Sequence, residues 1–423
     1  MTTVKIVLIS IFPLSNLKLN QFSGLLNLIG KIFIAILILF SSIITQAQTL
    51  SNTKKIKVGA DCMDKYIPII KGKKIAILSN QTSIVGHTHL VDTLLSLNMH
   101  IKKVFCPEHG FRGNADAGEH VKNYRDEKTK LPVISLYGSN KKPKVADMKG
   151  LDYVIFDLQD VGARFYTYIS SLHYLMEACA ENNVKLIVLD RPNPNGFYVD
   201  GPIRENDFKS FVGVDPIPVV HGMTVGEYAQ MLNGEDWLTD GEECNLTVIA
   251  CENYSHKDFY SLPVKPSPNL PNMTAVYLYP SLCFFEGTNI SLGRGTDKPF
   301  QQVGYPDLKN SDYYFTPVSK VGASKNPPFK DVKCYGYDLS EYGEMMMKIE
   351  KKINLFWLIN LYKSYPDKEN FFIPYFNTLA GNARLKQQII DGYSEDEIRK
   401  SWEPSLEKFK EIRKKYLLYE DFE

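Results

Sequence analysis

Hydrophobic positions in the first half of the chain fall into short unbroken runs separated by longer amphipathic stretches. Lys74–Leu78, Ile101–Phe105, Pro132–Leu136, Tyr153–Phe156 and Lys185–Leu189 are rich in β-branched or aromatic residues and short enough to be strands. Between them, Leu90–Leu97 and a stretch from about Tyr168 to Asn182 carry apolar residues at helical spacing. Near-continuous apolar strands alternating with helices predict a parallel sheet covered on both faces. Further on, Thr224 followed by Glu227 opens a helix over Val225–Leu232 with a reciprocal cap, which makes Glu227 a capping partner rather than a catalytic acid. Lys330–Tyr337 reads as a strand and Glu341–Leu361 as one long helix, while Ser394 and Glu397 cap a last helix that Pro404 interrupts or kinks. The expected fold class is α/β: a Rossmann-like parallel-sheet domain over residues 48–305, then a smaller C-terminal α/β auxiliary domain over 306–423.

Composition changes this picture only by exclusion. With 44% hydrophobic and 23% charged residues the chain is ordinarily globular, and Lys+Arg 49 against Asp+Glu 48 leaves no basic excess for nucleic acid as a partner. The one strongly apolar run, Ile32–Ile44, is shorter than the roughly 20 residues that span a bilayer. With Lys31 before it and Ala47 just ahead of Gln48, it reads as a secretory signal over residues 1–47. The expected location is therefore periplasmic or extracellular, with no stable membrane span after cleavage. Seven scattered cysteines, without a C-x-x-C pair, read as small buried residues. His87-Thr88-His89 lacks a third metal ligand, and neither G-x-G-x-x-G after the first strand nor a P-loop occurs, so no metal and no cofactor are expected.

Candidate chemistry follows from the rule that open parallel sheets bind ligands outside the carboxyl ends of their strands. Asn80 and Gln81 follow the first run, Glu108 and His109 the second, Asp157, Gln159, Asp160, Arg164 and Tyr166 the fourth, and Asp190, Arg191 and Asn193 the fifth. His221 stands at a later strand-to-helix junction. Each has a structural reading alone: Asn80 as a cap, Asp157 as a satisfied buried acid, Arg164 as the partner of Asp157 or Asp160. Together they set polar groups along one edge, which a purely structural sheet does not need. The loop after the second run, Phe105–Glu119, adds Arg112 and Glu119 to Glu108 and His109, with glycines at 110, 113 and 118 supplying backbone freedom. Glycosidases use one carboxyl as acid and a second as base or nucleophile. Glu108 is the acid candidate, and Glu119 or Asp160 the second. Tyr279–Asn289 mixes aromatic faces with Glu286 and Asn289, as sugar sites do, and Arg294 sits between two glycines nearby.

These blocks resemble the NamZ family of exo-β-N-acetylmuramidases. The match runs through Asn80-Gln81-Thr82, Pro107–Gly113, Asp157–Thr167, Asp190–Pro194, His221–Glu227, Glu286–Asn289 and Gly293-Arg294-Gly295. The resemblance implies a cleft between the two domains and release of terminal N-acetylmuramic acid from peptidoglycan-derived saccharides. A cell-wall sugar-binding protein and an amide or ester hydrolase are the alternatives, although Ser170 and Ser171 fall inside a predicted helix and no G-x-S-x-G elbow is present. The lactyl carboxylate of that sugar calls for a cationic partner, with Arg164 and Arg294 the first candidates and Arg112 the third.

Overall fold

The apolar runs become neighbours in a single sheet. In a computed structural model describing Lys31 and residues 55–113, 122–309, 311–345 and 347–423, the sheet contains β1 (Lys74–Ser79), β2 (His100–Cys106), β3 (Tyr124–Arg125), β4 (Pro132–Ser135), β5 (Tyr153–Asp157), β6 (Lys185–Leu189) and β7 (Leu246–Ile249). Their order is β3-β4-β2-β1-β5-β6-β7. All pairings are parallel except β3 with β4. Alternate side chains of β1 feed two cores. Ile75 and Ile77 pack in one layer with Tyr66, Leu90 and Leu94, and Ala76 and Leu78 in the other with Leu172, Met176 and Tyr228. Burial on both faces is why these strands read as continuous apolar runs. The edge strands escape that pattern: β3 has two exposed residues, and β7 is only half-buried over three of its four positions.

From β1 the chain steps outward through β2 to β4, then returns to the other side of β1 with β5 and continues to β6 and β7. This reversal sets the carboxyl ends of β1 and β5 at a topological switch point, where a crevice is expected. The helices Tyr168–Glu181 and Val225–Gly234 cover one face, and the second carries the Thr224/Glu227 capping pair. Residues Ile56–Glu423 form one compact unit.

The later part of the chain differs from the sequence expectation in three places. The strand expected over Lys330–Tyr337 is β10 (Cys334–Asp338), which pairs antiparallel with β8 (Gln302–Tyr305) and β9 (Tyr314–Phe315). It starts late because Phe329 and Asp331 take left-handed φ values of 57° and 62°. The single helix expected over Glu341–Leu361 is interrupted: helical backbone over Ser340–Met345 and Met347–Glu350 gives way to a break at 351–355 before helix Phe356–Ser364. Its break is a tertiary anchor: Lys351 turns at φ 47°, the Ile353 amide donates to Asp200 Oδ2 at 2.7 Å, and the Asn354 amide donates to Ser281 Oγ at 2.9 Å. The last helix, Glu395–Lys414, opens with the Ser394/Glu397 capping box and continues through Pro404, its buried stripe of Ile398, Trp402, Leu406 and Phe409 outweighing the lost amide. No helix among the described residues is long and apolar enough to cross a membrane.

Candidate active site

The loop after β2 turns back on itself through residues in the left-handed region. His109, Gly110 and Gly113 have φ of 68°, 76° and 73°. A Cβ on Gly113 would lie 2.7 Å from Gln81 Cδ, so glycine is needed there for conformation and for space. A histidine at positive φ is uncommon and stores strain, here held in place by the contact of His109 Nε2 with Ser267 Oγ at 3.3 Å. The turn leaves Glu108 half-buried, facing two cavities that share lining residues, one of about 470 Å³ and one of about 60 Å³.

The larger cavity is walled by Tyr137, Phe165, Phe211, Tyr279 and Tyr375, with Glu108, Lys141, Glu286 and Arg294 as its charged groups. The smaller one adds His109, Tyr166, Tyr168, Ser267 and Asn269. The aromatic residues brace one another edge to face, Tyr166 against Tyr168 at 4.6 Å and Tyr279 against Phe300 at 5.0 Å between centroids. Burial, then the neighbouring Glu108 carboxyl, raises the Tyr137 phenol above its ordinary range, so Tyr137 is neutral beside that carboxyl. Glu286 Oε1 accepts from Arg294 Nε at 2.6 Å, and the guanidinium lies 4.9 Å from the Phe300 ring centroid. Cys283 also lines the cavity, but burial raises its thiol well above the ordinary range, leaving it a poor nucleophile.

Of the residues singled out from sequence, Glu108, His109, Tyr166, Glu286 and Arg294 meet at this cleft. Glu119 lies outside the described residues. The other polar groups at the strand ends make internal bonds and lie outside the two cavity linings. Asp157 is fully buried against Arg191, with Nε–Oδ1 at 2.6 Å and Nη2–Oδ2 at 3.0 Å. Arg112 forks onto Asp126 at 3.2 and 2.9 Å and stacks 4.2 Å from the Phe111 centroid. Arg164 is neither at the cleft nor paired with an aspartate. Its guanidinium donates to the carbonyls of Pro202, Ile217, Leu379 and Ala380 at 2.8 to 2.9 Å, and burial lowers its pKa to about 9.

Asp190 accepts from Thr224 Oγ1 at 2.7 Å and the Gly226 amide at 2.8 Å, with burial pushing its pKa up to about 6. Asn80 donates to the Tyr168 hydroxyl at 2.8 Å, Gln81 to Pro266 O at 3.0 Å, Gln159 to Pro192 O at 2.8 Å, Asn193 to Met223 O at 2.9 Å and Asn289 to Asn370 O at 2.6 Å. Asp160 lies outside both cavity linings, its Oδ2 accepting from the Gly162 amide at 2.6 Å. Burial raises Asp160 to about 7 and lowers the neighbouring His221 to about 3, so their 3.8 Å approach involves a neutral imidazole and is not an ion pair.

Tyr137 and Lys141 were not singled out from sequence, although they follow the Pro132–Ser135 strand and the same strand-end rule points to them. Phe211, Tyr375 and Leu379 come from elements distant in sequence, and no local pattern marks them.

Residues 75–274 match the N-terminal and residues 277–419 the C-terminal model of the exo-β-N-acetylmuramidase NamZ family. The peptidoglycan β-N-acetylmuramidase NamZ of Bacillus subtilis is 40% identical over 385 residues, covering 86% of this chain and 92% of that protein. A crystal structure of a DUF1343 family protein from Bacteroides fragilis superposes with a TM-score of 0.81 at 49% identity, covering 87% of this chain and all of the other. A second DUF1343 structure from the same organism gives 0.74 at 27% identity, covering 86% and 99%. With both family segments present in order around one cleft, the chain belongs to the NamZ family of exo-β-N-acetylmuramidases.

Proposed function

We propose that this glycoside hydrolase removes a terminal N-acetylmuramic acid from peptidoglycan fragments, with Glu108 protonating the leaving oxygen and Glu286 acting as the second carboxylate. The supporting observation is that these two carboxyls, delivered by a loop and a short 3-10 helix far apart in sequence, line the same aromatic-walled cavity. Aromatic faces such as Phe165, Tyr279 and Tyr375 suit the apolar face of a sugar ring, and Tyr137 stands beside Glu108 on the same cavity wall. As the glycosidic bond breaks, positive charge develops on the ring carbon, and a carboxylate on the same cavity wall stabilises it. Glu286 is preferred to Asp160, which is buried outside the cavity lining, while Glu119, the other carboxyl that the sequence offers, lies outside the described residues. Ser170 and Ser171, 2% and 1% exposed inside a helix, are not available for acyl transfer. We propose further that the chain is exported, on the strength of the apolar run Ile32–Ile44 and the small residue before Gln48.

The reaction is tested on a defined peptidoglycan oligosaccharide bearing N-acetylmuramic acid at its non-reducing end. The expected products are free N-acetylmuramic acid and the fragment shortened by that one sugar. Binding without release, or cleavage at internal positions, would overturn the proposal.

A further inference from the structure

N-acetylmuramic acid differs from N-acetylglucosamine by a lactyl ether carrying a carboxylate, so an enzyme selective for it must offer that anion a cation. Among the described residues, two cationic side chains line the larger cavity, Arg294 and Lys141. Arg294 is already engaged: Nε and Nη2 both converge on Glu286 Oε1, and an incoming anion would compete with that carboxylate. Lys142, next in the chain, is turned away onto Glu177 and Glu181. Lys141 pairs with no carboxylate among the described residues. Its ammonium stands 4.7 Å from the centroid of the Phe211 ring, itself stacked on Tyr174 at 6.2 Å. The aromatic face holds the half-buried lysine beside the cavity without neutralising it.

We infer that Lys141 is the specificity determinant that reads the lactyl carboxylate of the substrate, an inference resting on the proposed muramidase reaction. It replaces the arginine candidates. The Arg164 and Arg112 guanidinium groups are consumed by carbonyls and by Asp126, and Arg294 serves Glu286.

The test compares a chromogenic N-acetylmuramic acid glycoside with its lactyl methyl ester, which keeps the shape and removes the charge. Wild-type enzyme should prefer the acid by roughly 10- to 100-fold in kcat/KM, the usual worth of a hydrogen bond to an ionised group, with the difference mainly in KM. In Lys141→Met that preference should fall to near unity. Lys141→Arg should retain the preference to within a few-fold. Because the preference is a ratio measured within one enzyme preparation, partial loss of folded protein cancels from it. An unchanged acid-to-ester ratio in Lys141→Met, or no preference in the wild type, would overturn the inference. Failure of the wild type to cleave either glycoside would instead overturn the muramidase reading.

Discussion

Arginines show at the residue scale why polar identity alone does not mark a ligand contact. Arg112, Arg164 and Arg191 follow strand ends and Arg294 sits between two glycines, yet their partners are Asp126, four carbonyls, Asp157 and Glu286 respectively. The carbonyls that Arg164 serves include Leu379 and Ala380, more than two hundred residues away, and no local pattern announces them. Arg164→Met should therefore act on stability and leave substrate selectivity alone. It strands four buried carbonyls, so a loss of roughly 2–4 kcal/mol is expected, read as a lowered urea midpoint at unchanged slope. The acid-to-ester preference of the folded fraction should match wild type, and a selective loss of activity on the acid would return Arg164 to the binding site. Glycines were more legible. Gly162 has φ 77°, and a Cβ there would come within 2.1 Å of Asn193 Oδ1, so its place in the Asp157–Thr167 block is structural.

Among the elements, the strands of the main sheet were readable because burial on both faces forces consecutive apolar residues, and the helix starts were readable because a capping pair is a local device. The break at Lys351–Leu355 was not, since it depends on Asp200 and Ser281 drawing amides out of helical register. Helix Tyr168–Glu181 carries a buried junction of comparable reach. His173 lies between Asp215 at 3.1 Å and Glu177 at 3.2 Å, and Asp215 belongs to the segment that brings Phe211 to the cleft. Burial alone would lower the His173 pKa, but the two carboxylates outweigh it and raise it to about 9. Relative to an unfolded histidine near 6.5, the raised value means that its stabilisation is complete below about pH 6.5 and is lost as pH rises toward 9. Chemical-denaturation midpoints should accordingly fall across that window, and His173→Gln should flatten the fall. A wild-type midpoint with no decline between pH 6.5 and 9 would show that the imidazole is not held charged by its neighbours.

On the scale of the whole molecule, strand order reverses between β1 and β5, but the cavity is lined largely by segments from well outside those two strands. Glu108 comes from the β2 loop, Tyr137 and Lys141 from the β4 loop, Glu286 and Arg294 from the segments after helix Met273–Leu282, and Tyr375 from near the C-terminus. The strand-end rule thus pointed to Glu108, which lines this cavity, whereas the identity of the opposite wall depended on chain packing over distances that sequence spacing does not encode. Central to this account is Glu108 as the group that protonates the departing oxygen. The most direct test is kcat/KM of Glu108→Gln on two N-acetylmuramic acid glycosides, one with a poor leaving group and one activated. General acid catalysis is worth about 10²–10⁴-fold, so a loss of that order is predicted on the poor leaving group and a much smaller loss on the activated one. Near wild-type rates on both glycosides would contradict it.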